Sequence, residues 1–104
     1  KLEKRIAEFF LTEDAAYLPS GYLSNMAGFQ ALDKMGIYDI IFIDESSHYS
    51  NISGALAAGK KVVKFKHLDV KNLKKLIKKH LKKEEKPLIA SDGLFPIRAE
   101  IPPI

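Results

Sequence analysis

The 104-residue sequence has no cysteine. That leaves no disulfide framework and no thiolate ligands, and gives no sign of an oxidising compartment. The three histidines, His48, His67 and His80, stand far apart, so no metal-ligand spacing appears and no metal site is expected. No apolar run is long enough to span a bilayer, and the start carries no basic-then-apolar leader. There is no G-x-G-x-x-G, no Walker-type glycine-lysine loop and no G-x-S-x-G elbow, which argues against dinucleotide, P-loop and serine-hydrolase chemistry. The expectation from these absences is one soluble, cytoplasmic domain without a membrane span.

What is present suits a compact α/β domain with a single core: 46% of residues are hydrophobic, which is ordinary for a globular chain. The formal charge of +4 is unevenly spread. Eight lysines between Lys71 and Lys86, against Glu84 and Glu85, give that stretch +6 and leave −2 for the rest. Leu73, Leu76, Ile77 and Leu81 recur there at helical spacing, which puts the lysines on a solvated face. A basic face can also attract polyanions, so a free-standing module binding nucleic acid or an acidic protein is the alternative of another class. The chain starts without methionine inside the amphipathic pattern KLEKRIAEFF and stops at Ile101-Pro102-Pro103-Ile104. It reads as a piece of a longer protein.

Periodicity supplies the elements. Leu2, Ile6 and Phe9 mark an opening helix that Thr12-Glu13-Asp14 ends, and Ala15 to Leu18 is a short strand candidate closed by Pro19. After Gly21 a helical stripe of Leu23, Met26, Ala27, Leu32 and Met35 runs to Gly36. The continuous apolar run Tyr38 to Asp44 suits a strand buried on both faces. The unit then repeats: helix from about Ser47 to Ala58 with Gly59 as its stop, strand Val62 to Phe65, helix from the Asp69 cap to about Lys83, strand Leu88 to Ala90. This β-α-β-α-β-α-β order predicts a three-layer α/β fold, a mainly parallel sheet with helices on both faces, as one segment over 1–104.

In open α/β sheets ligands lie beyond the carboxyl ends of the strands, which singles out four places. The turn Ser20-Gly21-Tyr22 opens a helix whose first N–H groups lack intrahelical partners, and Gly21 lets an anion approach the backbone. Alone, it reads first as an ordinary serine cap followed by a flexible glycine. In Asp44-Glu45-Ser46-Ser47-His48, a Ser-capped helix carries His48 in its first turn, where an imidazole can stack on an aromatic ligand or be merely exposed. His67-Leu68-Asp69 reads as structural, with Asp69 capping a helix and His67 packed beside it. Ser91-Asp92-Gly93 offers one carboxylate at a strand end, suited to ligand contact or a simple turn.

Taken in order, these pieces resemble the α-oxoamine synthases, a family of pyridoxal-phosphate (PLP) enzymes. Leu2-Glu3, Ile6-Ala7 and Phe9 are similar to the family's L-E-x-x-[IL]-A-x-F helix, and Ser20-Gly21-Tyr22-Leu23-Ser24-Asn25 to its S-G-[FY]-x-[AS]-N turn. Asp44 to Ser50 is similar to D-x-x-x-H-x-S, while Phe65, His67 and Asp69 fall on F-x-H-N-D and Ser91 to Phe95 on T-E-G-V-F. The resemblance spans nearly the whole chain and implies part of the large domain of a PLP-dependent transferase. It implies that Gly21 and Tyr22, with Ser20, hold the cofactor phosphate, that Asn25 braces the turn, and that Asp92 belongs to the cofactor site. His48 would stack on the pyridine ring and act as the catalytic group at the substrate pocket. The implied reaction condenses an amino acid with an acyl-CoA, releasing CoA and usually carbon dioxide, in a homodimer. An aminotransferase is the alternative within the same cofactor class.

Asp92 stands in place of the family's glutamate, Pro96 in place of a serine, and Ile97-Arg98-Ala99-Glu100 in place of M-D-G-D. The family's pyridinium-pairing aspartate, its following histidine and its Schiff-base lysine lie in sequence beyond these motifs, and no lysine here stands in a matching context. The segment is therefore expected to be inactive alone.

Overall fold

The computed structural model describes residues 1–95, 97 and 99–103. Pro96 and Arg98, two of the departures from the family pattern, lie outside the described residues, as does Ile104. Seven elements follow in order: α1 (Leu2–Phe10), α2 (Gly21–Lys34), β1 (Ile40–Asp44), α3 (Tyr49–Ala57), β2 (Lys61–Phe65), α4 (Val70–His80) and β3 (Pro87–Ala90).

The sheet has the order β2-β1-β3 and is parallel throughout. Its centre is β1, the sequence IIFID, in which every residue is buried. A strand flanked by two others and covered on both faces has no solvated side, which is why it lacks apolar–polar alternation. Burying one such isoleucine or phenylalanine contributes roughly 1.5–3 kcal/mol. Ile41 and Ile43 pack with Phe29 of α2 and Ala55 of α3 on one face. Ile40, Phe42 and Phe65 meet Leu73, Leu76 and Ile77 of α4 on the other. These are the three layers that the alternating pattern predicts, and the lysines of α4 face away from the sheet.

Three expectations need correction. Ala15–Leu18 is not a strand. A strand exists only through a partner, and here the Tyr17 N–H donates to the Glu3 carboxylate of α1 at 2.9 Å instead of to a neighbouring backbone. Helix α3 starts at Tyr49 with His48 as its N-cap, so His48 precedes the first turn and Ser47 caps nothing. Helix α4 ends at His80, short of Lys83, because Leu81 turns extended and the Lys82 N–H is taken by the Glu85 carboxylate at 2.8 Å.

The local stops fall where glycine predicts them. Gly36 (φ 63°) and Gly59 (φ 77°) both adopt the left-handed conformation after their helices. Helix α1 instead closes on Leu11 at φ 55°, with the Thr12 N–H on the Ala7 carbonyl at 3.0 Å.

Candidate functional site

Three of the four singled-out places follow a strand directly, after β1, β2 and β3, and so share the carboxyl edge of the sheet. The fourth, Ser20-Gly21-Tyr22, follows no strand and reaches that edge because α2 packs along α3. The close approach is made at Gly54. A Cβ there would stand 2.8 Å from Phe29 Cδ2 and 3.1 Å from the Asn25 carbonyl oxygen. With the helices this close, their N-termini are neighbours, and Tyr22 lies beside Tyr49 with ring centroids 6.3 Å apart.

At the start of α2, Ser20 is the N-cap, and its Oγ accepts from the Leu23 N–H at 3.2 Å. The Ser24 N–H goes to the Ser20 carbonyl oxygen. Of the N–H groups of Ser20 to Leu23, which a helix start leaves without intrahelical partners, only that of Leu23 is bonded among the described residues, so those of Gly21 and Tyr22 are available. A Cβ on Gly21 would meet nothing within 4 Å, so the chain's own packing does not require glycine there and the backbone is open to approach. Two aligned donors at the positive end of a fourteen-residue helix suit a phosphate.

His48 caps α3 with its own ring: Nδ1 accepts from the Ser50 N–H at 3.2 Å and lies 2.7 Å from Ser50 Oγ. Ser50 is buried, and its Oγ in turn accepts from Asn25 Nδ2 at 2.8 Å. Asn25 thus ties α2 to α3. Asp92 arrives from the end of β3, accepting from the His48 backbone N–H at 2.8 Å through Oδ2 and from Asn51 Nδ2 at 2.9 Å through Oδ1. Its carboxylate therefore holds the start of α3, which is within reach despite the missing methylene. Asn25, Ser50, His48, Asp92 and Asn51 form one hydrogen-bonded set spanning α2, α3 and the β3 end, with the exposed imidazole at its centre.

A second cluster lies after β1 and β2. Each ring nitrogen of His67 faces one carboxylate: Nδ1 lies 2.9 Å from Asp44 Oδ1 and Nε2 lies 2.8 Å from Glu100 Oε2. Phe95 meets the ring edge-on at 4.5 Å. The hydrogen bonds to Glu100 and then Asp44 push the His67 pKa above its usual value. Asp44 is 1% exposed and also accepts from the N–H groups of Ser46 and Leu68, so it pins the end of β1 to the β2–α4 loop. Asp69 caps α4 as its sequence position predicts, accepting from the Asn72 N–H at 2.8 Å. The hydrogen bonds of the His67 ring go to Asp44 and Glu100.

Sequence reasoning missed Ser50, Asn51 and the His67–Asp44–Glu100 cluster. Ser50 had a signal in its spacing two residues after His48. Glu100 had none, because its partner lies 33 residues away and only the folded chain joins them. Among the described residues no metal-binding cluster occurs, and no helix is long and apolar enough to cross a membrane.

Comparison with known proteins gives three findings. The profile of the family "Aminotransferase class I and II" matches residues 1–92. The 8-amino-7-oxononanoate synthase of Coprothermobacter proteolyticus is 36% identical over the whole of this chain and 26% of its own length, and a putative enzyme of the same name from Parvibaculum lavamentivorans is 35% identical over the same shares. Among solved structures, serine palmitoyltransferase of S. paucimobilis with a bound PLP–myriocin aldimine superposes with a TM-score of 0.83 at 26% identity, over 98% of this chain and 25% of that one. The 8-amino-7-oxononanoate synthase of Francisella tularensis gives 0.69 at 26% identity, over 96% of this chain and 28% of that one. The chain spans about a quarter of the length of the relatives it matches.

Proposed function

The chain belongs to the aminotransferase class I and II family, and from that premise we propose that it forms the phosphate- and ring-holding part of a pyridoxal-phosphate acyltransferase of the α-oxoamine synthase type. The observation that carries the reading is the hydrogen-bonded set that brings the open N–H pair of Gly21 and Tyr22 to the same sheet edge as the exposed imidazole of His48.

The N–H groups of Gly21 and Tyr22, backed by the α2 dipole, hold the cofactor phosphate, with Ser20 shaping the turn by capping the helix. His48 offers its ring face to the pyridine ring. Asp92 and Asn51 keep the His48 backbone at the end of β3, and Asn25 keeps α2 and α3 together. When bound, PLP supplies the electron sink for the carbanion formed from the amino-acid substrate. The covalent lysine comes from outside the matched motifs, so this segment alone orients the cofactor and does not turn over. The whole protein condenses an amino acid with an acyl-CoA, releasing CoA and usually carbon dioxide, as a cytoplasmic homodimer.

The test is PLP uptake by the full-length protein. The expected result is a visible absorbance band that borohydride fixes, and product formation from glycine, alanine or serine that requires acyl-CoA. A full-length protein that takes up no PLP overturns the reading, while turnover independent of acyl-CoA assigns it to the aminotransferases instead.

A further inference from the structure

We propose that Asn25 and Ser50 are positioning residues that fix the tautomer and ring orientation of His48. The inference rests on the reading of the site given above, in which His48 faces the cofactor ring.

The argument is one of hydrogen-bond polarity. A backbone N–H only donates, so the Ser50 N–H pointing at His48 Nδ1 makes that nitrogen an acceptor. In the neutral ring the proton then sits on Nε2. Ser50 Oγ, 2.7 Å from the same nitrogen, must in consequence direct its own proton at Nδ1 and leave its lone pairs for another donor. Asn25 Nδ2 is that donor at 2.8 Å. The amide cannot turn its oxygen to Ser50 without leaving two acceptors face to face, so each member sets the orientation of the next. The order runs from amide to hydroxyl to imidazole. Nε2 makes no hydrogen bond among the described residues, which leaves the N–H edge of the ring free on the exposed side.

The same polarity explains why the relay bridges two helices. Asn25 is on α2, four residues after Gly21, and Ser50 is on α3, two after His48. The segment that offers the phosphate donors therefore also orients the stacking ring, and a shift between α2 and α3 disturbs both.

The experiment reads the two ring 15N shifts of His48 in the full-length protein labelled with 15N-histidine, before PLP is added. For the wild type we expect widely separated shifts, with Nδ1 in the range of a bare lone pair and Nε2 in the range of a protonated nitrogen. Ser50→Ala, which leaves only the longer backbone N–H bond to Nδ1, narrows the separation as the ring begins to sample the other tautomer, and Ser50→Thr, which keeps the hydroxyl, restores it. Asn25→Asp keeps size but reverses polarity: the new carboxylate accepts the Ser50 proton and turns it from Nδ1, so the separation shrinks again. A wild-type ring protonated on Nδ1, or shifts averaged together, overturns the proposal without recourse to any variant. Separation unchanged in Ser50→Ala overturns the part given to Ser50, and unchanged in Asn25→Asp that given to Asn25. Because no cofactor is needed, a protein that takes up no PLP sinks the functional reading and leaves this result standing.

Discussion

His67 is the residue whose environment says most about conditions. It is held between the carboxylates of Glu100 and Asp44, and both favour its charged form. Its pKa in the folded state lies above the ordinary 6.5, so its contribution to stability is fully present below pH 6.5 and is lost as the pH rises through the folded value. We therefore expect urea midpoints to fall on going from mildly acidic to mildly alkaline solution, and His67→Gln to flatten that dependence. An unchanged slope in the variant would assign it to other groups. Leu68, next in sequence, adopts φ 53° where the family pattern has asparagine, a residue that tolerates the left-handed region better. The His67–Asp44 bond and the Leu68 N–H on Asp44 hold this loop in place despite that backbone cost.

Between elements, the α2–α3 contact matters most, because it carries one edge of the proposed site against the other. Gly54 permits it through the absence of a side chain, although its φ is unremarkable for a helix and glycine lowers helix propensity by about 1 kcal/mol relative to alanine. Gly54→Ala recovers that propensity but pushes a methyl against the Phe29 ring and the Asn25 carbonyl. Overpacking of this kind costs about 1–3 kcal/mol. The expected net effect is a loss of up to about 2 kcal/mol, read as a lower urea midpoint at unchanged slope. A variant as stable as the wild type would mean that the helices separate without penalty. The caps were legible in sequence where they are local: Ser20 and Asp69 bond three residues ahead within their own turns. The cap of α3 was not, since choosing His48 over Ser47 depends on Asp92 of a distant strand holding the His48 N–H.

At the scale of the molecule, charge and apolar surface are both segregated. The lysines of α4 lie on its solvent side because Leu73, Leu76 and Ile77 bind it to the sheet. Helix α1 presents Phe9, Phe10 and Leu11 outward, with Leu11 93% exposed and the two phenylalanine rings packed edge to face on each other. An apolar surface of this kind promotes association. The 104-residue chain by itself is expected to sediment with a mass that rises with concentration, and Phe10→Lys to reduce the effect. A chain that stays monomeric across the range would contradict this.

The sequence by itself determined the alternation of strands and helices, the buried central strand, the glycine stops and the four places where chemistry could gather. These follow from periodicity, backbone freedom and side-chain chemistry within a few residues of chain. Only the tertiary structure decided that Ala15–Leu18 pairs with no strand among the described residues, that Asn25 reaches Ser50, that Asp92 holds His48, and that His67 lies between two carboxylates. Each of those depends on groups 14 to 44 residues apart, and hydrogen-bond partners at such separations are chosen by helix packing and strand register, which no local pattern encodes.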